Sequence, residues 1–271
     1  MAHIRLKPSK QINIDFDPKE LDDIPIPAES QKYARDYMKS KKLAEDDDFD
    51  LLLMFEDKVI FGFDYLHQGE KRLLVELNPV TIFYANSVMS FGSLKHYRKL
   101  LFAQSRKVNE IHTNKEPINF THSGIYFQIA INCVINLQAT LESFANRAIP
   151  ENYQYVNKTG NPVVPTITYK LNNVLPNIKN IDFQIRKNRK YNICIDTLIK
   201  LRNDIIHLKP TGETNTGYKG VYRDLLNFDF AKAILSVRTF INFYEPNLIE
   251  ECECGMDFGF YQSQISEQNG L

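Results

Sequence analysis

The stretch that decides the fold is THSGIYFQIAINCVINLQATLESFANRAIP, Thr121–Pro150. Pro150 stops it, because a proline ring cannot continue a helical hydrogen-bond ladder. Before that stop, Ile131, Val134, Leu141, Ala145 and Ala148 recur at helical spacing, and apolar character runs nearly all round. Such a pattern predicts a central helix buried among others. Its polar exceptions, Gln138, Glu142 and Asn146, are spaced by four and form one stripe. A mostly buried helix leaves a carboxylate unpaired only at a cost, so Glu142 needs a partner elsewhere in the bundle.

The expected partner lies in LIKLRNDIIHLKP, Leu198–Pro210. This segment ends a helix read from about Tyr191 to Leu208, with Cys194, Leu198, Leu201, Ile205 and Leu208 on its core face. Asn203 and His207, four apart, share the other face, and Arg202 lies about 100° round from Asn203. A third helix starts near Asp229, whose carboxylate suits an N-cap, and turns Phe230, Ala233, Val237, Phe240 and Tyr244 inward.

Outward from these helices the pattern weakens. Residues 151–190 connect the Thr121–Pro150 helix to the next. The first part of this connection, Tyr153–Lys170, is rich in Tyr, Val and Thr around NKTGNP and suggests a small hairpin or ordered loop. Its end carries the basic residues Arg186, Lys187, Arg189 and Lys190. The run KRLLVELNPVTIFYANSVMSFGSLKHYRKLLFAQSRKVNEI reads mostly as helix, interrupted near Pro79 and Gly92. Asp50–Leu66 suits helix or strand, and residues 1–50 suggest loose packing apart from a short helix around Ala28–Ala44. The sequence therefore predicts an all-α bundle over residues 101–248, an N-terminal extension over 1–100 and an acidic tail over 249–271.

Composition excludes several classes. No apolar run approaches the roughly 20 residues of a bilayer span, and the first residues lack an apolar signal-peptide core. Four scattered cysteines do not make a disulfide framework. A cytoplasmic protein that requires no membrane is the expectation. Formal charge is zero overall but unevenly placed. Residues 58–238 hold 24 basic against 13 acidic side chains, and residues 239–271 hold 6 acidic and none basic. A basic middle between acidic ends suits a polyanion-binding surface, or Lys and Arg coating helices.

No phosphate-binding glycine loop, dinucleotide fingerprint or nucleophile elbow is present. EDDDFD, Glu45–Asp50, lacks the glycine and closing glutamate of an EF-hand. Cys252 and Cys254 form an isolated C-x-C without the second pair of a zinc site, and His112 and His122 suit solvated or capping roles. The expectation is no cofactor and no metal.

Arg202, Asn203 and His207 together suit metal-free RNA cleavage. An imidazole can take the proton of a ribose 2′-OH or give one to the leaving oxygen. A guanidinium can hold a phosphate in bidentate fashion as negative charge gathers. Asn203 would fix the imidazole tautomer. The competing reading is a helix end where Arg202 pairs with a carboxylate and His207 caps carbonyls.

These residues resemble the signature of HEPN domains (higher eukaryotes and prokaryotes nucleotide-binding): Arg, a polar residue, three more, then His. Arg202, Asn203 and His207 match it, and LQATLESFANRAIP resembles the family's first core helix, with Glu142 and Asn146 at the acidic and amide positions. The resemblance covers about residues 120–245. It implies a helical bundle that pairs about a two-fold axis, pooling two Arg–His sets, and often a metal-independent endoribonuclease of toxin or anti-phage systems. It implies an RNA substrate, a homodimer and an antitoxin or sensor partner. Site residues follow: Arg202, His207 and Asn203 catalytic, Glu142, Asn146 and Asp204 supporting, and Lys209, Arg186, Lys187, Arg189 and Lys190 gripping the RNA backbone. Lys209 stands where one toxin subgroup has a modified tyrosine, so that regulation is not implied. Other members are non-catalytic and bind nucleotide, RNA or a partner protein.

Overall fold

The computed structural model of the chain describes residues 3–15, 24–45, 49–55, 58–110, 120–156, 159–184, 188–208 and 217–254. They divide into two units, one of residues 1–5 with 79–271 and one of residues 6–78. The division falls at Asn78/Pro79, where the sequence alone suggested about residue 100.

The smaller unit corrects the all-α expectation. It is a four-stranded antiparallel sheet with one helix, built from β1 (Gln11–Asn13), α1 (Ala28–Lys39), β2 (Leu51–Phe55), β3 (Lys58–His67) and β4 (Glu70–Val75). β3 is the central strand. β2 pairs along one edge, while β1 and β4 follow one another along the other, in the registers Ile12↔Val59, Leu52↔Phe61 and Phe63↔Leu74. Gln68 and Gly69 both take positive φ, 51° and 84°. That is the two-residue turn whose twist suits a hairpin, and it makes a strand of the KRLLV segment read as helix. Gly62 is required where β3 and β4 meet, because a Cβ there would lie 2.6 Å from the Leu74 carbonyl oxygen.

α1 sits on the face bearing Asp64 and Lys71. The Tyr37 hydroxyl donates to Asp64 Oδ2 at 2.5 Å, and Lys71 Nζ lies 3.4 Å from the Tyr37 ring centre. Burial and the Asp64 carboxylate push the Tyr37 phenol up to about 12. The opposite face carries exposed Ile12, Leu52, Met54, Phe63, Tyr65 and Leu74.

The larger unit is helical: α2 (Pro79–Gln104), α3 (Thr121–Ala148), α4 (Ile167–Tyr169), a π-helical turn (Lys170–Val174), α5 (Leu175–Lys179), α6 (Arg189–Ile206), α7 (Lys219–Asn227) and α8 (Phe230–Tyr244). α2, α3, α6 and α8 pack around one core. Leu141, Leu198 and Phe240 are fully buried, as their helical spacing predicts, and Leu137 and Ile241 are buried beside them. Among the described helices α3 is the one long and apolar enough to cross a bilayer, and here its apolar side chains pack against α2, α6 and α8. Asp229 caps α8 by accepting from the Lys232 N–H. The Tyr84 hydroxyl of α2 donates to the Ile234 carbonyl of α8 at 3.1 Å.

Of the hairpin or ordered loop expected within residues 151–190, the structure shows an ordered loop. Its described residues show an isolated bridge, Val156↔Pro162, and then the short helices, with Thr166 capping α4. Residues 249–252, expected to begin a loose tail, are held in place by backbone and side-chain bonds. Ile249 is wholly buried, and Asn242 of α8 bonds both its N–H and its carbonyl at 2.9 Å. Glu251 bridges to Ile4 as an antiparallel partner, and Ile4 is buried in the core of this unit.

Candidate functional site

The Arg–His sequence lies at the C-terminal end of α6. Leu198, Leu201 and Ile205 anchor that turn in the core, which leaves Asn203 and His207 exposed on the open side. The helix ends at Ile206, and His207 closes it by donating its backbone N–H to the Asn203 carbonyl at 2.9 Å. The imidazole is exposed.

Arg202 is half-buried. Its Nη1 donates to Asn203 Oδ1 at 3.2 Å, while its Nε is buried without an acceptor. Asn203 Oδ1 is therefore engaged by the guanidinium, rather than orienting His207 as expected. Among the described residues no carboxylate pairs with Arg202. Glu142, expected to hold it across the bundle, is half-buried and accepts from Gln138 Nε2 at 2.8 Å. Asn146 is exposed and accepts from Lys170 Nζ at 2.7 Å. The polar stripe of α3 is thus satisfied by its own helix and by the π turn.

The expected basic grip is only partly placed. Arg186, Lys187 and Lys209 lie outside the described residues. Arg189 and Lys190 are exposed in the first turn of α6, about 20 Å along the axis from Arg202 at 1.5 Å per residue. Asp204 faces a different feature, a groove of about 360 Å³ between α6, the end of α7 and the start of α8. Two lysines, Lys200 and Lys232, and three aspartates, Asp204, Asp224 and Asp229, line it. Its acid excess does not suit a polyanion, and neither Arg202 nor His207 reaches it.

One cluster escaped sequence reasoning. His3, Cys252 and Cys254 bring their ligand atoms within 4.8 Å of one another, with His3 Nδ1 3.4 Å from Cys254 Sγ. The Cys254 backbone N–H and thiol hold the Cys252 thiol below its ordinary value, and Arg5 adds to the effect. The C-x-C was the visible signal, but its third member is 251 residues from Cys254 in the chain. Of the two histidines set aside, His112 lies outside the described residues. His122 is half-buried beside Tyr97, with its ring centre 6.5 Å from the phenol ring.

Comparison of the chain with protein-family models, with curated proteins and with solved structures gives no match.

Proposed function

We propose that the chain is a metal-independent endoribonuclease of HEPN type, acting as a toxin or anti-phage effector. The observation that carries this reading is a guanidinium without a carboxylate partner among the described residues, five positions before an exposed histidine at an open helix end. A structural arginine in a bundle is ordinarily neutralised by a carboxylate. Arg202 instead keeps donors for a phosphate.

Five residues along a helix place Arg202 and His207 about 140° apart, so one chain presents them in diverging directions. A two-fold pair would let the arginine of one copy meet the histidine of the other. The exposed apolar side chains Ile206 and Leu208, which flank His207, favour such a pairing. In the reaction the ribose 2′-OH attacks the adjacent phosphorus and its proton passes to an imidazole. The bond to the 5′-oxygen breaks, that oxygen takes a proton, and the products are a 2′,3′-cyclic phosphate and a 5′-hydroxyl. An antitoxin or sensor protein would restrain or trigger the activity.

The alternative is a non-catalytic module binding nucleotide, RNA or a partner protein. It is favoured by Asn203 engaging Arg202 rather than the imidazole. The deciding experiment is incubation of purified wild type and His207→Ala with RNA in EDTA. Cyclic-phosphate ends from wild type alone support cleavage by this site. Activity unchanged in the variant, or lost in EDTA while circular dichroism shows the protein still folded, rejects it in favour of the binding module.

A further inference from the structure

We propose that His3, Cys252 and Cys254 form a zinc site that fastens the N-terminal segment to the chain following α8. The inference is independent of the RNA-cleaving reading and concerns a different part of the larger unit.

The donors come first. Two thiols and one imidazole are the soft and borderline ligands that select Zn²⁺ over the oxygen-seeking Mg²⁺ and Ca²⁺. Tetrahedral zinc, with sulfur at about 2.3 Å and nitrogen at about 2.05 Å, sets its ligand atoms about 3.6–3.8 Å apart. The 3.4 Å between His3 Nδ1 and Cys254 Sγ and the 4.8 Å bound on all three are close to that spacing. Small rotations of exposed Cys254 would complete it.

Backbone pairing, not a chance meeting of loose ends, positions the ligands. Ile4 bridges antiparallel to Glu251, the Cys252 N–H donates to the His3 carbonyl at 2.6 Å, and the Arg5 N–H donates to the Glu250 carbonyl at 3.0 Å. Buried Ile4 and Ile249 anchor the two segments that carry the cluster, and Asn242 holds Ile249 from α8. An ion bound here would neutralise two thiolates and replace the contact between His3 and Cys254. Three protein ligands fasten the two segments and leave the fourth tetrahedral position to water.

The test uses full-length protein without an added tag, since a tag at the N-terminus would lie beside His3. Zn²⁺ is titrated against a chromophoric chelator in wild type, His3→Gln, Cys252→Ser and Cys254→Ser. Cys133 and Cys194 remain in all four proteins and control for non-specific thiol binding. Circular dichroism checks that each variant is folded. Wild type should bind one equivalent, and each substitution should weaken affinity at least about 100-fold, beyond the 10–100-fold carried by outer-shell partners. Co²⁺ in place of Zn²⁺ should give thiolate charge-transfer and tetrahedral d–d absorption that each substitution alters. Zn²⁺ should raise the unfolding temperature of wild type only. Absence of binding in wild type overturns the proposal, as does affinity unchanged in His3→Gln or an octahedral cobalt spectrum.

Discussion

Replacing Arg202 with alanine should separate catalysis from stability, because the guanidinium contributes little to the fold. It makes one hydrogen bond to a neutral, exposed acceptor, Asn203 Oδ1 at 3.2 Å. Such a bond contributes about 0.5–1 kcal/mol net. Against that loss, truncation also removes Nε, a buried donor without an acceptor, and so relieves a desolvation cost of similar size. No ion pair is broken, since none is made among the described residues. The expected net destabilisation is about 1 kcal/mol or less, and the melting temperature should move by about 2–4 °C at most. If the same group stabilises the phosphorane-like charge, its loss should lower the cleavage rate about 10²–10³-fold, or 2.7–4 kcal/mol. Arg202→Lys keeps the charge but not the paired donors and should fall between. The assay is cleavage of a fluorogenic RNA in EDTA beside a thermal melt of the same preparations. Cleavage within about threefold of wild type, or a melting temperature lowered by more than about 6 °C, would refute the reasoning.

Gly62→Ala should damage the sheet alone. The new Cβ would meet the Leu74 carbonyl at 2.6 Å, an overpacking that costs about 1–3 kcal/mol, and hydrogen exchange should rise in β3 and β4 while the α3 amides stay protected. Phe240→Ala should destabilise the helical unit by about 3–5 kcal/mol, because a fully buried ring loses its edge contacts with Phe144, Phe183 and Tyr244. Denaturant unfolding checks this, and a loss under 1 kcal/mol contradicts it. Alkaline pH should also weaken the fold. Burial raises Tyr37 and Tyr244 from 10.0 to about 12 and Cys133 from 9.0 to about 12. The folded state thus holds these protons more tightly, and the stability this gives is complete below about pH 9 and lost as pH rises toward 12. A denaturation midpoint that held steady or rose across that range would contradict the assignment.

The helical unit was legible because apolar residues recur at helical spacing along α3, α6 and α8. Thr121–Ala148 and Phe230–Tyr244 appear within a residue of their expected ends, stopped by Pro150 and started by Asp229. The sheet was not legible, for a specific reason. β2, β3 and β4 carry apolar side chains on both faces, with Leu52, Met54, Phe63 and Tyr65 exposed opposite α1. The period-two alternation that marks a half-buried strand is therefore blurred. The turn that makes the hairpin uses Gln68 where asparagine or aspartate would have announced it. At the candidate site, Cys194, Leu198, Leu201 and Ile205 are buried as their spacing predicts, but Leu208, expected on the same face, is exposed beyond the helix end, and partner choice did not follow from spacing. Glu142 could reach Gln138 on its own helix, and sequence offers no way to rank that against a distant arginine. His3 was invisible beside Cys252 because only tertiary pairing of Ile4 with Glu251 joins them.

That same pairing sets an order on biosynthesis. Ile4 emerges early, yet its place in the core does not exist until Glu251 has been made. At about 5–20 residues per second, the wait is on the order of 10–50 s. The strands of the smaller unit, all within residues 11–75, can pair during that interval. A nascent chain that ends before Glu251 can therefore hold a paired sheet, yet lacks the bridge that seats Ile4 in the core of the larger unit.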